Sequence, residues 1–183
     1  LTNSGTEAIE GALKLAKRAT RRSELIGAFQ SYHGSTHGAL SLLGAENQKM
    51  RYRPLLPDTH FINFNEEKDL SRITSKTAAV LLETIQGGAG FILPKNDYLQ
   101  KVKSRCEEVG ALLIFDEIQP GFGRTGKFFG FEHFNVKPDI VVMGKGMGGG
   151  LPVGAFSASH QLMEVLENKP KLGHITTFGG NSV

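Results

Sequence analysis

Asp139-Ile-Val-Val-Met-Gly-Lys-Gly-Met-Gly-Gly-Gly150 is the stretch on which the fold turns. Its four apolar residues at 140–143 predict a short buried strand, and the strand ends on one lysine, Lys145, set between glycines. A lysine at a strand terminus without bulky neighbours leaves room for a flat ligand to reach its amine. Placed beside apolar surface, such an amine gives up part of its proton affinity and becomes a usable nucleophile.

The same pattern occurs twice upstream. Residues 77–82 read as a buried strand that delivers Glu83, and residues 111–115 as another that ends on Asp116-Glu117-Ile118-Gln119. Apolar strands separated by helical stretches predict an α/β fold with a mostly parallel central sheet and helices on both faces. Ligands of such sheets gather at the carboxyl ends of the strands, where Glu83, Asp116 and Lys145 all fall. Core packing asks for no charged groups at these three equivalent positions, whereas a shared site does.

Working outward, Ser4-Gly5-Thr6-Glu7 precedes an amphipathic helix to residue 19, with Ala8, Ile9, Ala12, Leu13 and Ala16 on its apolar face. Its first turn is a potential anion site at Gly5 and Thr6, where free N–H groups and the positive end of the helix dipole converge. Ser4 and Thr6 acting only as caps is the competing reading. A strand at 25–29 leads into Ser31-Tyr32-His33-Gly34-Ser35, whose Tyr-His pair is placed to stack on a flat ligand. Further strands or helices are expected at 39–43 (helix), 60–64 (strand), 66–73 (helix), 96–109 (helix, closed by Gly110) and 159–167 (helix). Arg124 and His174 read as structural loop residues.

The 183 residues suffice for one good core. The chain opens without Met and closes inside a Gly/Ser/Thr-rich stretch, so we expect an internal fragment. A net charge of +3 with scattered basic residues argues against nucleic-acid binding. No apolar run approaches a bilayer-spanning length, so no membrane partner is expected. Cys106 is the one cysteine, which excludes internal disulfides and cysteine zinc sites and fits a reducing, cytoplasmic setting. No metal site is expected.

Two glycine motifs, 121–126 and 144–149, match the G-x-G-x-x-G dinucleotide pattern. Neither is followed by a helix start, and Lys145 is followed by Gly146 where a Walker loop needs Ser or Thr, so the nucleotide readings are set aside.

Taken together the motifs resemble the class III pyridoxal-phosphate-dependent aminotransferases, the group that includes acetylornithine, ornithine and 4-aminobutyrate enzymes. The resemblance runs through Asn3-Ser-Gly-Thr-Glu-Ala8, Tyr32-His-Gly34, Glu83-Thr-Ile-Gln-Gly87, Phe115-Asp-Glu-Ile-Gln119, Gly121-Phe-Gly-Arg-Thr-Gly126, Gly144-Lys-Gly146 and Thr176-Thr-Phe-Gly-Gly-Asn181. It implies the PLP-dependent transferase fold type I, with residues 1–183 forming part of the cofactor-binding large domain and the N-terminal segment and C-terminal small domain absent. It implies pyridoxal 5'-phosphate as cofactor, and transfer of an amino group from an amino acid or ω-amine to a 2-oxo acid by a ping-pong route. By resemblance Lys145 holds the cofactor as an imine and then moves the substrate proton. Asp116 pairs with the ring nitrogen, Gln119 lies near the phenolic oxygen, Tyr32 covers a ring face with His33 beside it, and Gly5 and Thr6 hold the phosphate. Glu83 hydrogen-bonds around Asp116 and the loop carrying His33. Thr177 reaches the phosphate of a neighbouring subunit, which implies a homodimer or higher homo-oligomer.

Two positions depart from the subgroups. Acetylornithine and bacterial 4-aminobutyrate enzymes carry an arginine where this chain has Ser35, and several ω-amino-acid enzymes carry a glutamate where it has Gly88. A donor whose reacting end is uncharged, such as an ω-amine or diamine, fits their absence. An aminomutase of the same family and an inactive truncated module are the alternatives.

Overall fold

The computed structural model describes residues 1–167 and 171–181. Strands β1 (Glu24–Ala28), β2 (Thr59–Ile62), β3 (Thr77–Glu83), β4 (Leu112–Asp116), β5 (Ile140–Met143) and β6 (Ala155–Ala158) form one sheet in the order β2-β1-β3-β4-β5-β6. The first five run parallel and β6 is antiparallel to β5. The expected mostly parallel sheet is therefore present, with one antiparallel edge strand that its flanking Leu151-Pro-Val-Gly154 did not reveal.

Alternation along the strands divides the core in two. Leu25, Ala79, Leu81, Ile114, Ile140 and Val142 face the helix α1 (Gly5–Thr20), which lays Ala8, Ile9, Ala12, Leu13 and Ala16 on them. Burial of the larger side chains here, Ile9 and Leu13, stabilises the fold by about 1.5–3 kcal/mol each. Gly11 sits in the middle of α1 because a Cβ there would lie 2.2 Å from the Phe156 ring of β6. On the other face Ile26, Val80, Leu82, Leu113 and Phe115 pack against Tyr98, Leu99, Val102 and Cys106 of α4 (Tyr98–Val109). Helices thus cover both faces.

Helix α1 begins as its sequence predicts, with Ser4 extended (φ −158°) and its hydroxyl accepting from the Glu7 N–H at 3.3 Å. Helix α4 ends at Gly110, whose φ of 70° is left-handed and suits glycine. Three expected helices differ from what was anticipated, the first by a two-residue shift and the other two by being shorter or broken. The 39–43 expectation becomes α2 (His37–Ser41), 66–73 becomes a 3-10 turn (Glu67–Arg72), and 159–167 splits into α5 (His160–Met163) and a 3-10 turn (Glu164–Leu166). A further helix, α3 (Glu46–Lys49), was not foreseen. The expected 60–64 strand is β2, with Phe64 beyond its end packed into the second core.

Strand order reverses between β1 and β3, because the chain steps outward from β1 to β2 and then returns to build β3, β4 and β5 on the other side. Such a switch point opens a crevice at the strands' carboxyl ends.

Candidate active site

That crevice holds a cavity of about 350 Å³ lined by Gly5, Thr6, Tyr32, His33, Glu83, Asp116, Gln119 and Lys145, together with Ser35 and Gly88. The volume lies within the usual range for small-molecule sites. Thr177 is the exception among the expected residues: it is exposed and lines no part of this cavity.

Strand register brings the two carboxylates together. Glu83 is paired with Asp116 across β3 and β4, and Asp116 with Val142 across β4 and β5, three residues before Lys145. Asp116 is buried, with Oδ2 2.7 Å from His33 Nδ1 and Oδ1 accepting from the Ile118 N–H at 3.0 Å. A carboxylate offers about four acceptor positions, so capacity remains on the cavity side. His33 is buried too, and its Nε2 has no hydrogen-bond partner among the described residues.

Glu83 acts as a brace. Oε2 accepts from the Tyr32 N–H at 3.2 Å and Oε1 from the Gly87 N–H at 3.1 Å, so one carboxylate fixes the loop after β1 and the loop after β3. Burial, reinforced by the neighbouring Asp116 charge, holds its carboxyl above the usual range, opposed by His33 and by these two N–H groups. Gly87 lets the Gln119 side chain lie close to the backbone, since a Cβ there would come within 2.4 Å of Gln119 Oε1 and displace it.

The first turn of α1 closes the third wall. Ser4 caps the Glu7 N–H, leaving the N–H groups of Gly5 and Thr6 without intrahelical acceptors. Thr6 does not cap the helix: its hydroxyl lies 2.9 Å from that of Thr36, which donates to Glu10 at 2.5 Å. Glu10 also accepts from the Gly38 and Ala39 N–H groups, so this relay ties the anion-ready turn to the loop carrying Tyr32 and His33. Gly5 and Gly144 let α1 approach the end of β5, with a Cβ at Gly144 only 3.3 Å from Gly5 Cα.

Lys145 departs from expectation in one respect. It opens a 3-10 turn at a left-handed φ of 44° and is exposed rather than buried beside apolar surface. Gly144, Gly146, Gly149 and Gly150 have no side chains with which to cover it. Among the described residues its amine has no hydrogen-bond or ion-pair partner. Tyr32 is likewise half-exposed, with its hydroxyl 3.3 Å from Ser35 Oγ.

A second cavity, of about 270 Å³, shares Gln119 and Lys145 with the first and is walled by Phe91, Phe122 and Arg124. Arg124, read from sequence as a structural loop residue, therefore faces a cavity beside the amine. His174 does pack structurally, edge-on to Phe156. Among the described residues no cluster of His, Cys, Asp and Glu could hold a metal ion, and no helix is long and apolar enough to cross a membrane.

An unpaired amine, a buried carboxylate with spare acceptor positions, an exposed aromatic face and a helix start suit a flat, anionic ligand with a protonated ring nitrogen and a carbonyl. The residues present fit pyridoxal 5'-phosphate.

Comparison with known proteins bears on the same question. The family model described as aminotransferase class-III matches residues 1–183. The [LysW]-aminoadipate semialdehyde/glutamate semialdehyde transaminase of Sulfolobus acidocaldarius is 42% identical over 181 residues, covering 99% of this chain and 46% of that protein. The putrescine aminotransferase of Pectobacterium atrosepticum is 44% identical over 191 residues, covering 98% of this chain and 41% of that protein. A solved ornithine aminotransferase from Toxoplasma gondii, described as having partial occupancy of PLP at its active site, superposes with a TM-score of 0.91 at 32% identity, covering 98% of this chain and 44% of that one. The chain thus spans less than half the length of the relatives it matches.

Proposed function

The chain belongs to the class-III aminotransferase family, and from that premise we propose that its full-length parent is a transaminase using pyridoxal 5'-phosphate. In this reading residues 1–183 are part of the cofactor-binding large domain. Donor and 2-oxo acid acceptor use the same site in turn, in a ping-pong cycle. The observation that carries it is the shared cavity, with the Lys145 amine and the Asp116 carboxylate on one lining and the first turn of α1 on another.

When bound, the cofactor supplies an aldehyde that condenses with amines and a ring that withdraws electrons from the carbon bearing the amino group. Lys145 would be the amine that holds the cofactor through its aldehyde, and its free amine would serve as the base that moves the donor's proton. Asp116, fixed by His33 and the Ile118 N–H, presents a carboxylate that keeps the ring nitrogen protonated. The N–H groups of Gly5 and Thr6 hold the phosphate at the positive end of α1. Tyr32 would cover one ring face and Gln119 would meet the phenolic oxygen, while Glu83 holds both loops in place.

Ser35 and Gly88 line the cavity without charge, which suits an ω-amine or diamine whose reacting end is uncharged. Thr177 is exposed and lines no part of this cavity, which supports a role for it at the site of a second subunit in a homodimer. Cys106 takes no part: burial pushes its thiol up to about 12, and a buried free thiol suits the cytoplasm.

The test is to add pyridoxal 5'-phosphate to the full-length parent and record its visible absorbance, then assay amino donors with pyruvate and 2-oxoglutarate. The reading requires an imine band that Lys145→Ala abolishes, and turnover that needs an oxo acid. Persistence of the band in the variant would rule out the role of Lys145, and turnover of a single substrate without added oxo acid would mark an aminomutase instead.

A further inference from the structure

Glu117 follows Asp116 and points to the opposite side of the chain, away from the cavity. It is fully buried, yet it is no part of the proposed chemistry. Its carboxylate takes three donors: the buried Thr84 hydroxyl, the Gly130 N–H at 2.7 Å and the Phe131 N–H at 3.0 Å. Its main-chain carbonyl accepts from the Gly121 N–H at 3.0 Å, and its own N–H donates to Val142 O of β5 at 2.9 Å. One residue thereby closes a loop at both ends and ties it to the sheet. Two glycines make room for it, since a Cβ at Gly121 would lie 2.6 Å from Glu117 O and one at Gly130 would lie 3.3 Å from both carboxylate oxygens.

The loop so closed carries Gln119 into both cavities beside Lys145, and Phe122 and Arg124 into the second. Gly123 (φ 82°) and Gly126 (φ 90°) supply left-handed turns that glycine adopts freely, but the loop is strained at Phe122, whose φ of 56° is left-handed. Conformations of this kind persist only where the surroundings over-determine them. An acceptor-only carboxylate suits three converging donors, whereas glutamine would set its NH₂ group against one of them. A position that served stability alone would more readily hold an apolar residue, because an ionised side chain is costly to bury.

We propose that Glu117 is a positioning residue: it clasps the loop 117–131 at both ends and thereby sets Gln119 in place between the two cavities that share Lys145. The consequence for the cofactor rests on the transaminase reading, whereas the clasp does not.

The experiment uses the full-length parent with Glu117→Gln, Thr84→Val, Gln119→Ala and the Glu117→Gln/Gln119→Ala pair. Trypsin cleavage after Arg124 and Lys127, located by mass spectrometry on cofactor-free protein, reads the loop. Glu117→Gln is expected to speed cleavage at both sites by about tenfold or more, and Thr84→Val by about threefold, with other sites unchanged. The dissociation constant for pyridoxal 5'-phosphate reads the positioning. Glu117→Gln is expected to weaken binding about tenfold when Gln119 is present and less than about twofold when it is alanine, the non-additivity of two residues acting as one. Equal weakening in both backgrounds would make Glu117 merely structural and overturn the proposal, as would cleavage unchanged in both single variants. If Glu117→Gln does not fold, Thr84→Val alone and paired with Gln119→Ala decides by the same readings. If the wild-type parent binds no cofactor, the transaminase reading fails while the cleavage arm still decides the clasp.

Discussion

A concavity of about 990 Å³ opens at the amino-terminal end of β5, against about 350 Å³ for the cavity at the carboxyl ends of the strands, yet their charges are arranged in opposite ways. In the larger, Lys103 reaches Asp139 at 2.9 Å and Glu107 at 3.4 Å, Asp139 also accepts from the Leu113 N–H at 2.8 Å, and Lys127 donates to the Glu132 carbonyl at 2.9 Å. Lys103 and Asp139 thus meet opposite charges, and Lys127 a carbonyl, at a partly exposed surface. In the smaller, Glu83 and Asp116 are buried side by side, while the Lys145 amine of the same lining is unpaired among the described residues. Volume is a poor guide to chemistry here. Electrostatic arrangements that the fold does not need for its own stability are the better one.

If that contrast is sound, substitutions at the two ends should differ in kind. Lys145→Ala should cut transfer of amino groups to 2-oxoglutarate by the full-length parent on the order of 10⁴-fold, measured by steady-state turnover. Asp116→Asn, which keeps the shape and removes the charge, should cost about 10²- to 10³-fold in the same assay.

Glu83→Gln sharpens the comparison through pH. Because burial raises the native carboxyl's proton affinity, the folded chain holds this proton to higher pH than the unfolded chain. Its contribution to stability is therefore greatest at acid pH, and is lost as pH rises from the ordinary carboxylate range through the raised native value. Denaturant unfolding of the full-length parent at a series of pH values should show Glu83→Gln flattening that decline relative to wild type. Equal pH slopes for the two proteins would contradict the assignment. At the other end of the sheet Asp139→Ala should lower unfolding stability by about 1–2 kcal/mol through the lost Leu113 and Lys103 contacts, and leave turnover within about twofold of wild type. A large loss of turnover there would break the comparison.

The sequence made much of this legible because the strands that position the site are buried on both faces. Residues 78–82 and 111–115 are continuous apolar runs of the kind a covered parallel sheet calls for, and each is followed by a carboxylate that lines the cavity. Helix α1 was readable from its apolar stripe and its Ser4 cap. Strand β6 was not, since four residues with Ser157 exposed on a sheet edge carry no such run. The tail at 159–167 reads as one helix by composition but has little apolar surface to bury, and it settles into two short turns. At the site, residue types were readable and relations between distant segments were not. The buried His33–Asp116 contact spans 83 positions, and the Glu117 clasp depends on where a loop returns. The burial expected for Lys145 failed because its glycine neighbours expose the amine as readily as they admit a ligand.

Every role in cofactor chemistry proposed above depends on the Lys145 amine being the group that engages the cofactor's aldehyde. Incubation of the full-length parent with pyridoxal 5'-phosphate, reduction with borohydride, and peptide mapping by mass spectrometry tests it most directly. A single reduced adduct on the peptide containing Lys145 is expected. An adduct on another lysine with Lys145 unmodified, or none at saturating cofactor, would contradict it.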